Sequence, residues 1–151
     1  MALTVTDISN EIYEELGKPS TISVPAVSFW VRSNLGKLNA YIGTSYEVSN
    51  PTLEITPQIG EQEKAILKKM YELSYYDSKI RENLGSAASN SVVEISSDGA
   101  RIRKISSNDI AKSFSRLKFS ESESLTALIN AYLNNGLTPF QIREDSNCGS
   151  D

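Results

Sequence analysis

A chain of 151 residues with 39% apolar side chains is the size of one domain, able to bury roughly 70% of the surface its extended form exposes. It holds no histidine and a single cysteine, Cys148, which excludes disulfide frameworks, Cys/His zinc sites and any Ser-His or Cys-His catalytic pair. Fifteen Lys+Arg against nineteen Asp+Glu leave a net charge of -4, the wrong balance for a domain whose affinity comes mainly from neutralising phosphates.

No window reaches the ~18 consecutive apolar residues of a membrane span, and Met1 to Asp7 has neither a basic n-region nor an apolar h-region. With one thiol, a reducing compartment is the expectation.

In chain order, Thr4 and Asp7 form a capping-box pattern, and Val5, Ile8, Ile12 and Leu16 recur at helical spacing before Gly17 and Pro19. This predicts a first helix over about 5–16. Ser23 as N-cap and Pro25 in the first turn open a second, whose stripe is Val27, Val31, Leu35, Leu38 and Ile42, flanked by Phe29 and Trp30 and ended by Gly43. Gly36 within it costs about 1 kcal/mol against alanine, which suggests close approach of a neighbouring backbone or a kink. Residues 44–60, with Pro51, Pro57 and Gly60, read as a loop with a short extended piece around Leu53 and Ile55. The third helix, Glu61 to Leu84, keeps Ile66, Met70, Leu73, Ile80 and Leu84 on one face and has Gly85 as its terminator.

Val92–Ser96 and Arg101–Ile105 flank Asp98-Gly99, the short-range signature of a β-hairpin. A two-residue turn sets Ile95 opposite Ile102, Glu94 opposite Arg103 and Val92 opposite Ile105. Ser106 to Asp109 then caps a short helix carrying Ile110, Phe114 and Leu117. Ser120 with Glu123, a second capping-box pattern, opens a last helix with Leu125, Leu128, Ile129, Tyr132 and Leu133, up to Gly136. The expected fold is mainly α, a small bundle of four to five helices with one protruding hairpin. The division is a helical domain over 1–136, with the hairpin at about 92–105, and a C-terminal tail over 137–151.

Chemistry-bearing patterns are sparse. There is no phosphate-binding glycine loop, so no nucleotide or other cofactor is expected. The carboxylate pairs Glu14-Glu15 and Glu61 with Glu63 read as solvated faces, and Tyr71, Tyr75 and Tyr76 as a half-buried packing seam. Charge is uneven along the chain: Arg101, Arg103, Lys104, Lys112, Arg116 and Lys118 outweigh Glu94, Asp98 and Asp109 over 92–119, ahead of an acidic end. That basic run reads as a solvated face or as a dock for an acidic neighbour. A hairpin of five-residue strands is marginal alone. It either lies on the helices of its own subunit or is completed by a neighbouring molecule through strand addition.

The order of elements resembles the head-completion adaptors, also called connector or neck proteins, of tailed bacteriophages. Over about residues 3–135 the resemblance is carried by Glu61-Gln62-Glu63-Lys64-Ala65-Ile66 through Tyr75-Tyr76 to Lys79-Ile80-Arg81-Glu82-Asn83-Leu84-Gly85, by the Asp-Gly hairpin running into Ser107-Asn108-Asp109-Ile110-Ala111-Lys112-Ser113, and by Leu128-Ile129-Asn130-Ala131-Tyr132. It implies a non-enzymatic virion protein, made in the host cytoplasm and placed at the head-tail junction. There it forms a dodecameric ring beneath the portal protein, joins a further neck or tail-completion protein, and lets genomic DNA pass without specific binding. The resemblance further implies that Val93, Ile95, Arg101, Ile102, Arg103 and Lys104 face adjacent subunits or neck components, and that Leu137, Phe140, Ile142 and Arg143 dock on the portal. The alternatives are a tail-completion or stopper protein, usually richer in strand, and a small helical DNA-binding regulator reading through 101–118.

Overall fold

The computed structural model describes residues 3–89, 95–97, 100–102 and 107–135. Helix α1, Val5–Glu15, starts at the expected box: the Asp7 amide donates to Thr4 Oγ1 at 3.2 Å and the Thr4 amide donates to Asp7 Oδ2 at 2.9 Å. The Thr4 hydroxyl, which donates to Asp7 Oδ2 at 2.7 Å, and then the Thr4 amide hold the Asp7 carboxyl below its ordinary range. Helix α2, Val24–Ile42, has Ser23 as N-cap and ends on Gly43, whose φ of 69° is the left-handed conformation a C-cap requires. All five stripe residues, Val27, Val31, Leu35, Leu38 and Ile42, are buried. That burial contributes on the order of 10 kcal/mol before entropy is counted.

Between α2 and the next helix one side chain of α2 fixes the start of the segment. Asn39 donates through Nδ2 to the Tyr46 carbonyl at 2.9 Å and accepts at Oδ1 from the Tyr46 amide and the Thr44 hydroxyl. The segment then forms β1, Glu47–Val48, antiparallel to β2, Ile55–Thr56. The extended piece expected near Ile55 is thus one half of a two-stranded ladder. Leu53, at φ 57°, sends its carbonyl to the Val5 amide at 2.9 Å, and the Ile55 amide reaches the Leu3 carbonyl at 3.2 Å. A first-turn amide of α1 is in this way satisfied by the loop rather than by its own helix.

Helix α3, Glu61–Ser89, is about 44 Å long. Ile66, Leu67, Met70 and Tyr71 enter the core with α1 and α2. The Trp30 ring stands edge-on to Tyr71 at 5.0 Å and donates from Nε1 to Ser74 Oγ at 3.1 Å. Strands β3, Ile95–Ser97, and β4, Ala100–Ile102, pair antiparallel with Ile95 opposite Ile102, the expected register. The other two expected pairs, Glu94 with Arg103 and Val92 with Ile105, lie outside the described residues. Helix α4, Ser107–Asn135, runs antiparallel to α3, as Lys118 meets Asp77 while Tyr132 meets Glu63. The architecture is mainly helical, four helices with a small two-strand antiparallel hairpin. None of the described helices is long and apolar enough to cross a membrane.

Three local expectations are corrected. Gly85 does not end α3, which continues to Ser89; a helical glycine costs only about 1 kcal/mol, and Gly85 lacks the positive φ that makes glycine a stop. Ser120 is not an N-cap, since α4 is one helix from Ser107 to Asn135. Its hydroxyl-bearing residues are accommodated inside the helix: Ser115, Ser124 and Thr126 each donate to the carbonyl four residues back. At Gly36 a Cβ would meet nothing within 4 Å, so no neighbouring backbone of this chain requires glycine there. Gly36→Ala should therefore raise the unfolding free energy by about 0.5–1 kcal/mol in urea titrations, where a backbone in close approach would make it fall.

Candidate interaction surface

The sequence-predicted contact residues are only in part brought into view. Ile95, Arg101 and Ile102 lie on β3 and β4, with Ile95 and Ile102 directly paired and Arg101 paired with Ser96. Among the described residues no further strand joins either edge of this hairpin. Val93, Arg103 and Lys104 lie outside the described residues, as do Leu137, Phe140, Ile142 and Arg143.

The seam between α3 and α4 is the most extensive helix pairing in the fold. Of the three α3 tyrosines expected in one half-buried seam, Tyr76 lies here, packing on Phe114 with centroids 6.0 Å apart and on Tyr75 at 5.9 Å, whereas Tyr71 is buried against Trp30 because it faces α2. Further along, Leu125, Ile129 and Tyr132 pack on the core. Lys69 bridges Glu72 and Glu121, and Lys118 reaches Asp77 at 2.6 Å. That contact with Lys118 pulls the Asp77 carboxyl down. One member of the basic run is therefore engaged within the fold. Between α1 and α3, Lys68 joins Glu11 at 2.6 Å and Glu15 at 2.8 Å, and Lys64 joins Glu11 and Glu61. Lys68 foremost keeps Glu11 ionised. Glu15 and Glu61 stay exposed, as expected, while pairing with these lysines; such pairs each contribute about 0–1 kcal/mol.

Glu63 departs furthest from its sequence reading as a solvated carboxylate. It sits half-buried, and its Oε1 accepts the Tyr46 hydroxyl at 3.2 Å and the Tyr132 hydroxyl at 3.0 Å. One carboxylate in the first turn of α3 so ties the strand-bearing segment and the last turns of α4 to the same point. The only local signal was a glutamate three residues after a helix-entry glycine. The two phenols come from 17 residues before and 69 residues after it, separations that no periodicity reports. A Cβ on Gly60 would press on Glu63 Oε2, at the end of that flexible side chain.

Apolar side chains remain uncovered on both outer helices. Phe29 on α2 is 72% exposed and Phe119 on α4 is 69% exposed. Leu117, Leu128 and Leu133 on α4 are also exposed. Scattered exposed leucines are ordinary in a folded domain, but two nearly bare phenylalanines are less so. Among the described residues no group of His, Cys, Asp and Glu could hold a metal ion. Comparison with protein-family models, with curated proteins and with solved structures finds no match to this chain.

The Glu63 cluster has a pH signature. Burial, then the Glu63 charge, pushes the Tyr46 hydroxyl up to about 12, and Tyr132 is raised by its bond to Glu63. Both phenols stay protonated in the fold after the unfolded chain, near ~10, begins to ionise. Their contribution is thus present at neutral pH and lost as pH rises from about 10 towards 12, because the unfolded state then binds fewer protons. Urea unfolding followed from pH ~9 to ~11.5 should lose stability, on the order of 2 kcal/mol of it through Tyr46, and Tyr46→Phe should remove that part of the loss.

Proposed function

We propose that this chain is a structural virion protein, a head-completion adaptor of the tailed-bacteriophage kind. It forms a ring beneath the portal, links head to tail and extends the DNA channel. The observation that carries this reading is the hairpin: β3 and β4 pair only with each other among the described residues, on a scaffold of four helices. A two-stranded ribbon gains stability when its edges or face are covered by another chain. The helical fold favours an adaptor over a strand-rich stopper. The engagement of Lys118 by Asp77 removes one cation from the run a DNA-reading regulator would use.

In this reading the partners are sister copies, the portal protein and a further neck or tail-completion protein, and no catalytic residue is involved. The hairpin residues Val93, Ile95, Arg101, Ile102, Arg103 and Lys104 meet adjacent subunits or neck components. Leu137, Phe140, Ile142 and Arg143 provide the grip on the portal. Electron microscopy of the protein mixed with portal should reveal a collar with the rotational symmetry of a ring. Ile95→Lys should leave a folded monomer and abolish that collar; unfolding of the isolated variant would instead assign the strand to the subunit's own core. Deletion of 137–151 should leave the thermal midpoint nearly unchanged while removing portal capture in a pull-down, and retained capture would refute the docking role.

A further inference from the structure

Two surfaces of the chain each carry an exposed phenylalanine beside one exposed cation and one exposed anion. On α2, Phe29, Arg32 and Gly36 follow at spacings of three and four, so they share one outer face. They line a groove of about 580 Å³ whose opposite wall is Tyr46, Glu47 and Val48. The aromatic here is flanked by a cation, Arg32, and by an anion, Glu47, both exposed. Gly36 presents bare backbone at the groove, with nothing of this chain within 4 Å of where a Cβ would stand. On α4, Arg116, Phe119 and Glu123 repeat the same three-and-four spacing, and all are exposed. Here too the aromatic lies between one cation and one anion. None of Arg32, Glu47, Arg116 and Glu123 has an ion-pair partner among the described residues.

We propose that the Phe29 groove of one copy receives the Arg116-Phe119-Glu123 stripe of a second copy. Phe119 enters beside Phe29 over the bare backbone of Gly36, Glu123 meets Arg32, and Arg116 meets Glu47. The contact deepens the adaptor reading and rests on it for the identity of the occupant. A second copy is favoured for a specific reason: each unpaired cation of one surface finds an unpaired anion on the other, and one contact covers both bare phenylalanines. Such an interface is heterologous, joining different patches on the two copies, so it propagates head to tail and closes into a ring when the rotation per copy allows. An aromatic centre with opposite charges at its rim is the usual anatomy of an interface that carries affinity at its core and orientation at its edge.

The head-to-tail geometry supplies its own test. In sedimentation velocity from micromolar to near-millimolar concentration, the full-length protein should self-associate. Phe29→Asp and Phe119→Asp should each weaken that association by about tenfold or more, with thermal midpoints unchanged because both side chains are exposed. Mixed in equal amounts, the two variants should form a dimer that grows no further, since the mixture offers one intact pair of faces. Arg32→Glu should weaken association, and adding Glu123→Arg in the same chain should restore it. A wild-type protein that stays monomeric over this range, single variants that associate as wild type does, or a mixture that forms no dimer would each overturn the contact. Capture of portal by any of these proteins would leave the adaptor reading standing, so the two can fail separately.

Discussion

Helix α3 has to satisfy two neighbours at once, and the rest of the fold follows from how its residues are divided between them. Ile66, Leu67, Met70 and Tyr71 turn toward the core built with α1 and α2. Tyr76 and the charges of Lys69 and Asp77 serve the seam with α4. A 29-residue helix cannot persist on its own propensity. Burial on one side and a mixed aromatic and ionic seam on the other let it act as the spine against which the shorter elements register.

Glu63 gives that spine a fixed starting point. By accepting two phenolic hydrogens it connects the segment after α2 and the last turns of α4 to the first turn of α3. Asn39 orders the same segment from the α2 side, binding both the amide and the carbonyl of Tyr46. Tyr46 is thus held by its backbone from one helix and by its hydroxyl from another. A hydrogen bond to a charged group contributes more than a neutral one, so a short loop with two prolines can be well placed without a large core of its own.

A rigid helical scaffold of this kind leaves its specificity to its outer surfaces. Among the described residues the hairpin strands pair only with each other, and α2 and α4 offer an exposed phenylalanine each. Main-chain pairing at an edge and side-chain docking in a groove are physically independent ways of holding a neighbour. Under the adaptor role proposed above, a component that binds sister copies and different virion parts would gain from having both, because each partner is then recognised by different chemistry.

Periodicity and punctuation in the sequence were enough to place α1 and α2 with their caps, the start of α3 and the Ile95–Ile102 pair. The stripe from Val27 to Ile42, the Thr4–Asp7 box, the stop at Gly43 and the Ile95–Ile102 pair all arise from interactions within a few residues, which sequence spacing encodes directly. Tertiary structure alone decided whether Gly85 and Ser120 interrupt a helix, since each is a weak local preference of about 1 kcal/mol that packing on a long neighbour overrides. It also decided the role of Glu63, whose partners Tyr46 and Tyr132 are brought together only by the fold. Exposure on α4 belongs to the same class: Leu128, Ile129 and Leu133 were read together in the last helix, yet Leu128 and Leu133 are exposed while Ile129 packs on the core, because the direction in which a helix faces its neighbours is a property of the assembled core.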